Sequence, residues 1–130
     1  MIKRFLAFSA AALLSAGAAI ADDAGKGYFM QYCSTCHGTD GAGEGPLLEM
    51  MNVPAPDLSM LSKNNDGVFP MLQVIHVIDG RTGLRAHGGP MPVYGAIFAE
   101  EADRPGPYGA TLHTRGKILS IAYYIESLQK

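Results

Sequence analysis

The sequence predicts an all-α fold, and three observations carry the prediction. Apolar residues recur at helical spacing in three stretches, no segment alternates as a strand would, and Gly- and Pro-rich connections separate the helices. With 130 residues the chain is long enough for one domain and too short for two ordinary ones.

The N-terminal stretch stands apart from that fold. Lys3 and Arg4 precede an uncharged Ala- and Leu-rich run, Phe5 to Ile20, and Ala19-Ile20-Ala21 offers a small-x-small cleavage site before Asp22-Asp23. This is the pattern of a secretory signal peptide over residues 1–21. The run is about 16 residues, short of the roughly 20 that a bilayer span needs. The expected mature domain is therefore residues 22–130, exported to the bacterial periplasm, with no transmembrane segment after cleavage.

The first helix is expected from Ala24 to Cys33, where Tyr28, Phe29, Tyr32 and Cys33 share a face. The second runs from Val68 to Ile78, with Phe69, Leu72, Val74, Ile75 and Ile78 apolar. Pro70 sits in its first turn, where the missing N–H is harmless, and Gly80 stops it. The third is the clearest. Thr114 is a good N-cap, and Ile118, Ile121, Ala122, Ile125 and Leu128 form a helical stripe. The connections, roughly Gly38 to Gly67 and Gly80 to His113, are long for a compact domain. They make sense around a large flat group that fills the centre in place of side chains.

Charge and cysteine content exclude several classes. Lys plus Arg comes to 10 and Asp plus Glu to 12; loss of residues 1–21 removes two basic residues and no acid, so the mature charge is −4. Nucleic acid and anionic lipid both ask for a basic surface, which this chain lacks. Two Cys are too few for a multi-disulfide scaffold.

Cys33-Ser34-Thr35-Cys36-His37 is C-x-x-C-H, the attachment pattern for c-type haem. Two thiols about one helical turn apart can add to the two porphyrin vinyl groups, and the next residue sets an imidazole under the iron. A thiol–disulfide centre would want a βαβ setting, and a structural zinc site would need two more soft ligands. A plain Cys33–Cys36 disulfide would leave His37 unexplained. The reading is one covalent haem c per chain, with Cys33 and Cys36 attached and His37 as an axial ligand.

From here the chain resembles the class I c-type cytochromes, the bacterial monohaem family, over nearly all of residues 24–130. Gly25 and Phe29 precede Cys33 as in that family's first helix. Gly41, Gly43, Gly45 and Pro46 are similar to its G-x-G-x-G-P loop, and Pro54 to Leu58 to its P-x-x-D-L segment. Ile78-Asp79-Gly80-Arg81, Met91-Pro92-Val93-Tyr94-Gly95 and Ala122 to Leu128 follow in the family's order. The resemblance implies a cytochrome c fold: three main helices, short helical turns and long loops wrapped around one haem.

It also implies a ligand set. Met91, held by Pro92 and 54 residues after His37, takes the family position of the sixth ligand. His87, four residues earlier, is its main competitor. Met/His ligation raises the potential and resists oxygen binding. Met50, Met51, Met60 and Met71 read as gap fillers. By the same resemblance the Pro46 carbonyl accepts the His37 ring N–H, Leu47 and Leu58 pack on the porphyrin, and Arg81 or Arg85 meets a propionate. Tyr94 stands where many relatives have Trp.

The implied function is periplasmic transfer of single electrons between redox partners, without substrate chemistry of its own. The alternative is a cytochrome subunit of a periplasmic dehydrogenase or oxidase complex. Tyr94 to His113 is read as a loop, and its Glu100, Glu101 and Asp103 as an acidic docking surface for a basic partner.

Overall fold

A computed structural model of the chain describes residues 16–81, 91–102 and 106–130. Among them all regular structure is helical: α1 (Ala16–Tyr32), α2 (Ser34–His37), α3 (Leu47–Met51), α4 (Met71–Asp79), α5 (Tyr94–Glu100) and α6 (Pro107–Ser127). Two 3-10 turns, Leu58–Met60 and Lys63–Asn65, lie between α3 and α4.

The core forms where α1 crosses α6, and α6 also packs on α4 and α5. Gly25 allows the crossing: a Cβ there would run into the Ser120 carbonyl and touch Tyr124. Phe29, one turn later, is fully buried and meets the Tyr124 ring at 5.2 Å. Burying that one side chain contributes about 2 kcal/mol. Ile118, Ile121, Ala122 and Ile125 of α6, Val74 and Ile78 of α4, and Phe98 of α5 complete the core.

Each expected helix is present, with shifted ends. α1 reaches back at least to Ala16, where the described residues begin, because the Ala-rich run is itself a strong helix former. The residues before it, most of the expected signal peptide, lie outside the described residues. α4 begins at Met71 rather than Val68, since the residue before a proline resists helical backbone. It ends at Gly80, whose φ of 90° lets its N–H reach the His76 carbonyl.

The stretch from Tyr94 to His113 is the main correction. It is not one loop but carries α5 and the first two turns of α6. Tyr94, Ile97 and Phe98 give α5 a one-sided apolar face. α6 starts seven residues before the expected Thr114: Gly106 at φ 91° turns the chain and Pro107 opens the helix, where its lost N–H costs nothing. Thr114 is consequently a buried residue inside α6 and not a cap.

The C-terminus ties down the central loop. Gln129 donates to the Leu58 carbonyl at 2.7 Å and accepts from Ser62 N–H at 2.8 Å, and Lys130 N–H donates to Ser59 at 3.1 Å. Asp57 caps the same turn, accepting from the Ser59 N–H and hydroxyl at 2.9 and 2.6 Å. Those bonds from Ser59 hold the Asp57 carboxyl below its ordinary range. Leu58 is thereby fixed as a wall residue of the site.

Candidate functional site

The C-x-x-C-H motif sits on a helical corner. Cys33 follows α1, and its carbonyl accepts from Cys36 N–H at 3.1 Å and His37 N–H at 2.9 Å, which closes the single turn of α2. The Ser34 hydroxyl donates to the Met30 carbonyl at 2.6 Å and joins the turn to α1. The loop after the motif folds back across it: Gly43 N–H reaches the His37 carbonyl at 2.8 Å and Gly45 N–H the Cys36 carbonyl at 3.0 Å. Gly45 lies so close to the Thr35 and Cys36 backbone that any side chain would collide.

Both cysteines are free thiols. Cys33 is buried, and burial, with Cys36 beside it, pushes its thiol up to about 12. The thiol is therefore neutral at ordinary pH.

Cys33, Cys36, His37 and Met91 all line one cavity of about 500 Å³. Its walls are mostly apolar: Leu48, Met51, Pro54, Pro56, Leu58 and Leu61 from the central loop, and Val74, Val77 and Ile78 from α4. Asn64, Asn65 and Gln73 supply amides, and Tyr32 and Tyr94 supply phenols. Among the described residues no three His, Cys, Asp or Glu side chains converge as a bare metal ion would require. The cavity fits a large, flat, apolar group with a few polar edges, attached through two thiols and faced by an imidazole and a thioether.

Several details differ from the sequence reading. His37 Nδ1 lies 3.4 Å from the Pro56 carbonyl, a neighbour that the sequence did not suggest. Leu48 lines the cavity and Leu47, one residue earlier on α3, does not; Leu58 lines it as expected. Met51 is also in the wall, whereas Met50 is 84% exposed, so neither simply fills a gap in the core. Arg81 is exposed and paired with Asp79. Arg85, His87 and Asp103 lie outside the described residues. His76 and His113 are not part of the lining.

The Met91 side of the cavity is anchored by contacts that sequence reasoning missed. Tyr94 donates to the Tyr32 carbonyl at 2.5 Å, which joins the Met91 segment to the residue before Cys33. Burial, then the nearby Cys33 and Cys36, pushes the Tyr94 phenol up to about 12, so it stays a donor. Gly95 and Gly80 let the start of α5 pack directly on the end of α4. At the far end of α5, Lys117 lies almost completely buried beneath the rings of Tyr28, Tyr32 and Phe98, 4.4 to 5.0 Å from their centres. Its ammonium donates to Glu101 at 2.6 Å and to the Tyr32 hydroxyl at 3.1 Å, and that hydroxyl donates to Glu101 at 3.0 Å.

Burial pulls the Lys117 ammonium down, but the bonds to Glu101 and Tyr32 outweigh it and hold its pKa above the ordinary range. The bond from Lys117, against a smaller burial effect, holds Glu101 below its own. Glu101 is thus an ion-pair partner of Lys117, with its side chain still 37% exposed. One signal for Lys117 was available: it precedes Ile121 by four residues and Tyr124 by seven, on the buried stripe of α6.

No helix among the described residues is long and apolar enough to cross a membrane. A family model described as Cytochrome c matches residues 23–129. No curated protein and no solved structure matches the chain.

Proposed function

The chain belongs to the cytochrome c family, and from that premise we propose that it carries single electrons between redox partners in the periplasm, with His37 and Met91 as the axial ligands of its haem iron. The family binds haem c covalently, and Cys33 and Cys36 have the attachment spacing. When bound, that group supplies a one-electron ferric–ferrous couple. The single observation that carries the proposal is the convergence of Cys33, Cys36, His37 and Met91 on one apolar cavity.

The protein's own residues then have defined tasks. Cys33 and Cys36 fix the group in place through thioether bonds. His37 offers the iron its Nε2, while a donor Nδ1 facing the Pro56 carbonyl keeps that tautomer and strengthens the ligand. Met91 contributes a soft thioether, which favours the reduced state and raises the potential. Tyr94 and the α5 anchor hold the Met91 segment still, so that a change of oxidation state need not move a ligand. Leu48, Leu58, Val74 and Val77 exclude water, and the Asn64 and Gln73 amides suit the polar edge of the group. Export rests on the charged start, apolar run and Ala19-Ile20-Ala21 site, with the mature domain at 22–130.

Carbon monoxide tests the ligand set. The reduced protein should not bind it, because the coordination sphere is closed. Met91→Ala should admit carbon monoxide and lose the weak long-wavelength ferric band of Met–iron ligation. His87→Ala and Met51→Ala should do neither. Loss of the band in either of those variants, with Met91→Ala unaffected, would assign the ligand elsewhere.

A further inference from the structure

The outer face of α6 carries an apolar stripe that the fold and the electron-transfer site leave unused. Tyr108 is 86% exposed, Leu112 72%, Leu119 40% and Tyr123 52%. At 100° per residue these four positions fall within a sector of about 60°, with buried Ile121 opposite it and buried Ile118 and Ile125 about 110° and 130° from its centre. The stripe runs for about 22 Å along the helix.

The order of side chains along it is symmetric. Tyr–Leu–Leu–Tyr reads the same in both directions, with its midpoint between Arg115 and Gly116. Tyr108 and Tyr123 stand equally far from that point, and so do Leu112 and Leu119. A two-fold axis through the midpoint would run α6 antiparallel to α6 of a second chain. Each Leu112 would then meet Leu119 of the other copy, and each Tyr108 its Tyr123. An isologous interface demands this self-complementarity, and an arbitrary partner does not.

Gly116 adds an independent point. A glycine inside an exposed helix costs roughly 1 kcal/mol relative to alanine. Among the described residues nothing lies within 4 Å of where its Cβ would be, so no contact among them explains it. At the edge of the stripe, beside the midpoint, it lets a second helix approach closely.

Area sets the strength. With an aromatic side chain covering roughly 150–250 Å², the four side chains present on the order of 500 Å² per chain. Two copies would bury at most about 1,000 Å² through these side chains, at the threshold that separates a weak specific interface from an incidental contact. We propose that the haem-loaded mature protein self-associates as a weak antiparallel dimer through the Tyr108–Leu112–Leu119–Tyr123 face of α6.

Sedimentation equilibrium of the haem-loaded chain, from about 10 µM to about 1 mM, tests this. The weight-average mass should climb from one chain toward two. Leu112→Lys alone and Leu119→Glu alone should each weaken association at least tenfold. The double variant should associate several-fold more tightly than either single variant, because the new lysine faces the new glutamate across the axis in this register only. Unchanged visible spectra in all three variants report an intact fold. A monomer at every concentration overturns the proposal, and so does a double variant as monomeric as the singles.

Discussion

Replacing Glu101 by Ala should destabilise the protein more than replacing Lys117 by Met, although Glu101 is the more exposed partner. The Lys117 side chain is 8% exposed and that of Glu101 37%. Met has nearly the length and shape of the lysine stem and would lie against the Tyr28, Tyr32 and Phe98 rings in its place. Its sulfur makes sulfur–aromatic contacts that offset part of the lost cation–π attraction, and Glu101 turns to water at little cost. Lys117→Met should therefore cost about 1 kcal/mol or less. Glu101→Ala instead leaves an ammonium among three rings with the Tyr32 hydroxyl in reach. A stranded charge in a deep interior costs about 3–5 kcal/mol; the rings and the edge position of this one reduce that to about 2–3 kcal/mol. The double variant should resemble Lys117→Met. Urea unfolding of the haem-loaded protein, followed by far-UV circular dichroism, gives the three values. A larger loss in Lys117→Met than in Glu101→Ala would refute the reasoning.

The same pair predicts a pH profile. Glu101 is held low, so its contribution is present above the ordinary carboxylate pKa and lost as pH falls through the folded value. Lys117 is held high, so its contribution is present below the ordinary lysine pKa and lost as pH rises through the folded value. The stability difference between the original protein and Lys117→Met should be flat from about pH 5 to 9 and shrink on both sides. Gly25→Ala should lower stability by about 2 kcal/mol or more, read as a fall in midpoint temperature, because the helix crossing has no room for a methyl group. Cys33→Ala/Cys36→Ala should leave a chain without cooperative unfolding by circular dichroism. Without the covalent group about 500 Å³ of mostly apolar lining would be left without its packing partner and open to water.

The chemistry of the site was legible because attachment through two thiols fixes residue types at fixed spacing. Cys33, Cys36 and His37 could be singled out without tertiary information and Met91 by order along the chain, and the structure sets all four on one cavity. The helix crossing was also readable, from Gly25, Phe29 and the α6 stripe. What the sequence concealed depends on closure in three dimensions. Which carbonyl comes near His37, and whether Leu47 or Leu48 enters the wall, is decided by how the loop folds back over the motif. The Gly106-Pro107 pair reads as a loop from composition, yet in place it is a helix start. Lys117 looks like a solvated charge until α1 and α5 bring three rings and Glu101 around it.

The central claim is that one iron, held between His37 and Met91, exchanges a single electron without changing ligands. An optical redox titration of the intact haem-loaded protein tests it most directly. Reductive and oxidative directions should follow one curve with the slope of a one-electron couple. The midpoint should lie above that of the Met91→Ala variant, because thioether ligation favours the ferrous state. Hysteresis between the two directions, or a midpoint that Met91→Ala leaves unchanged, would contradict the account.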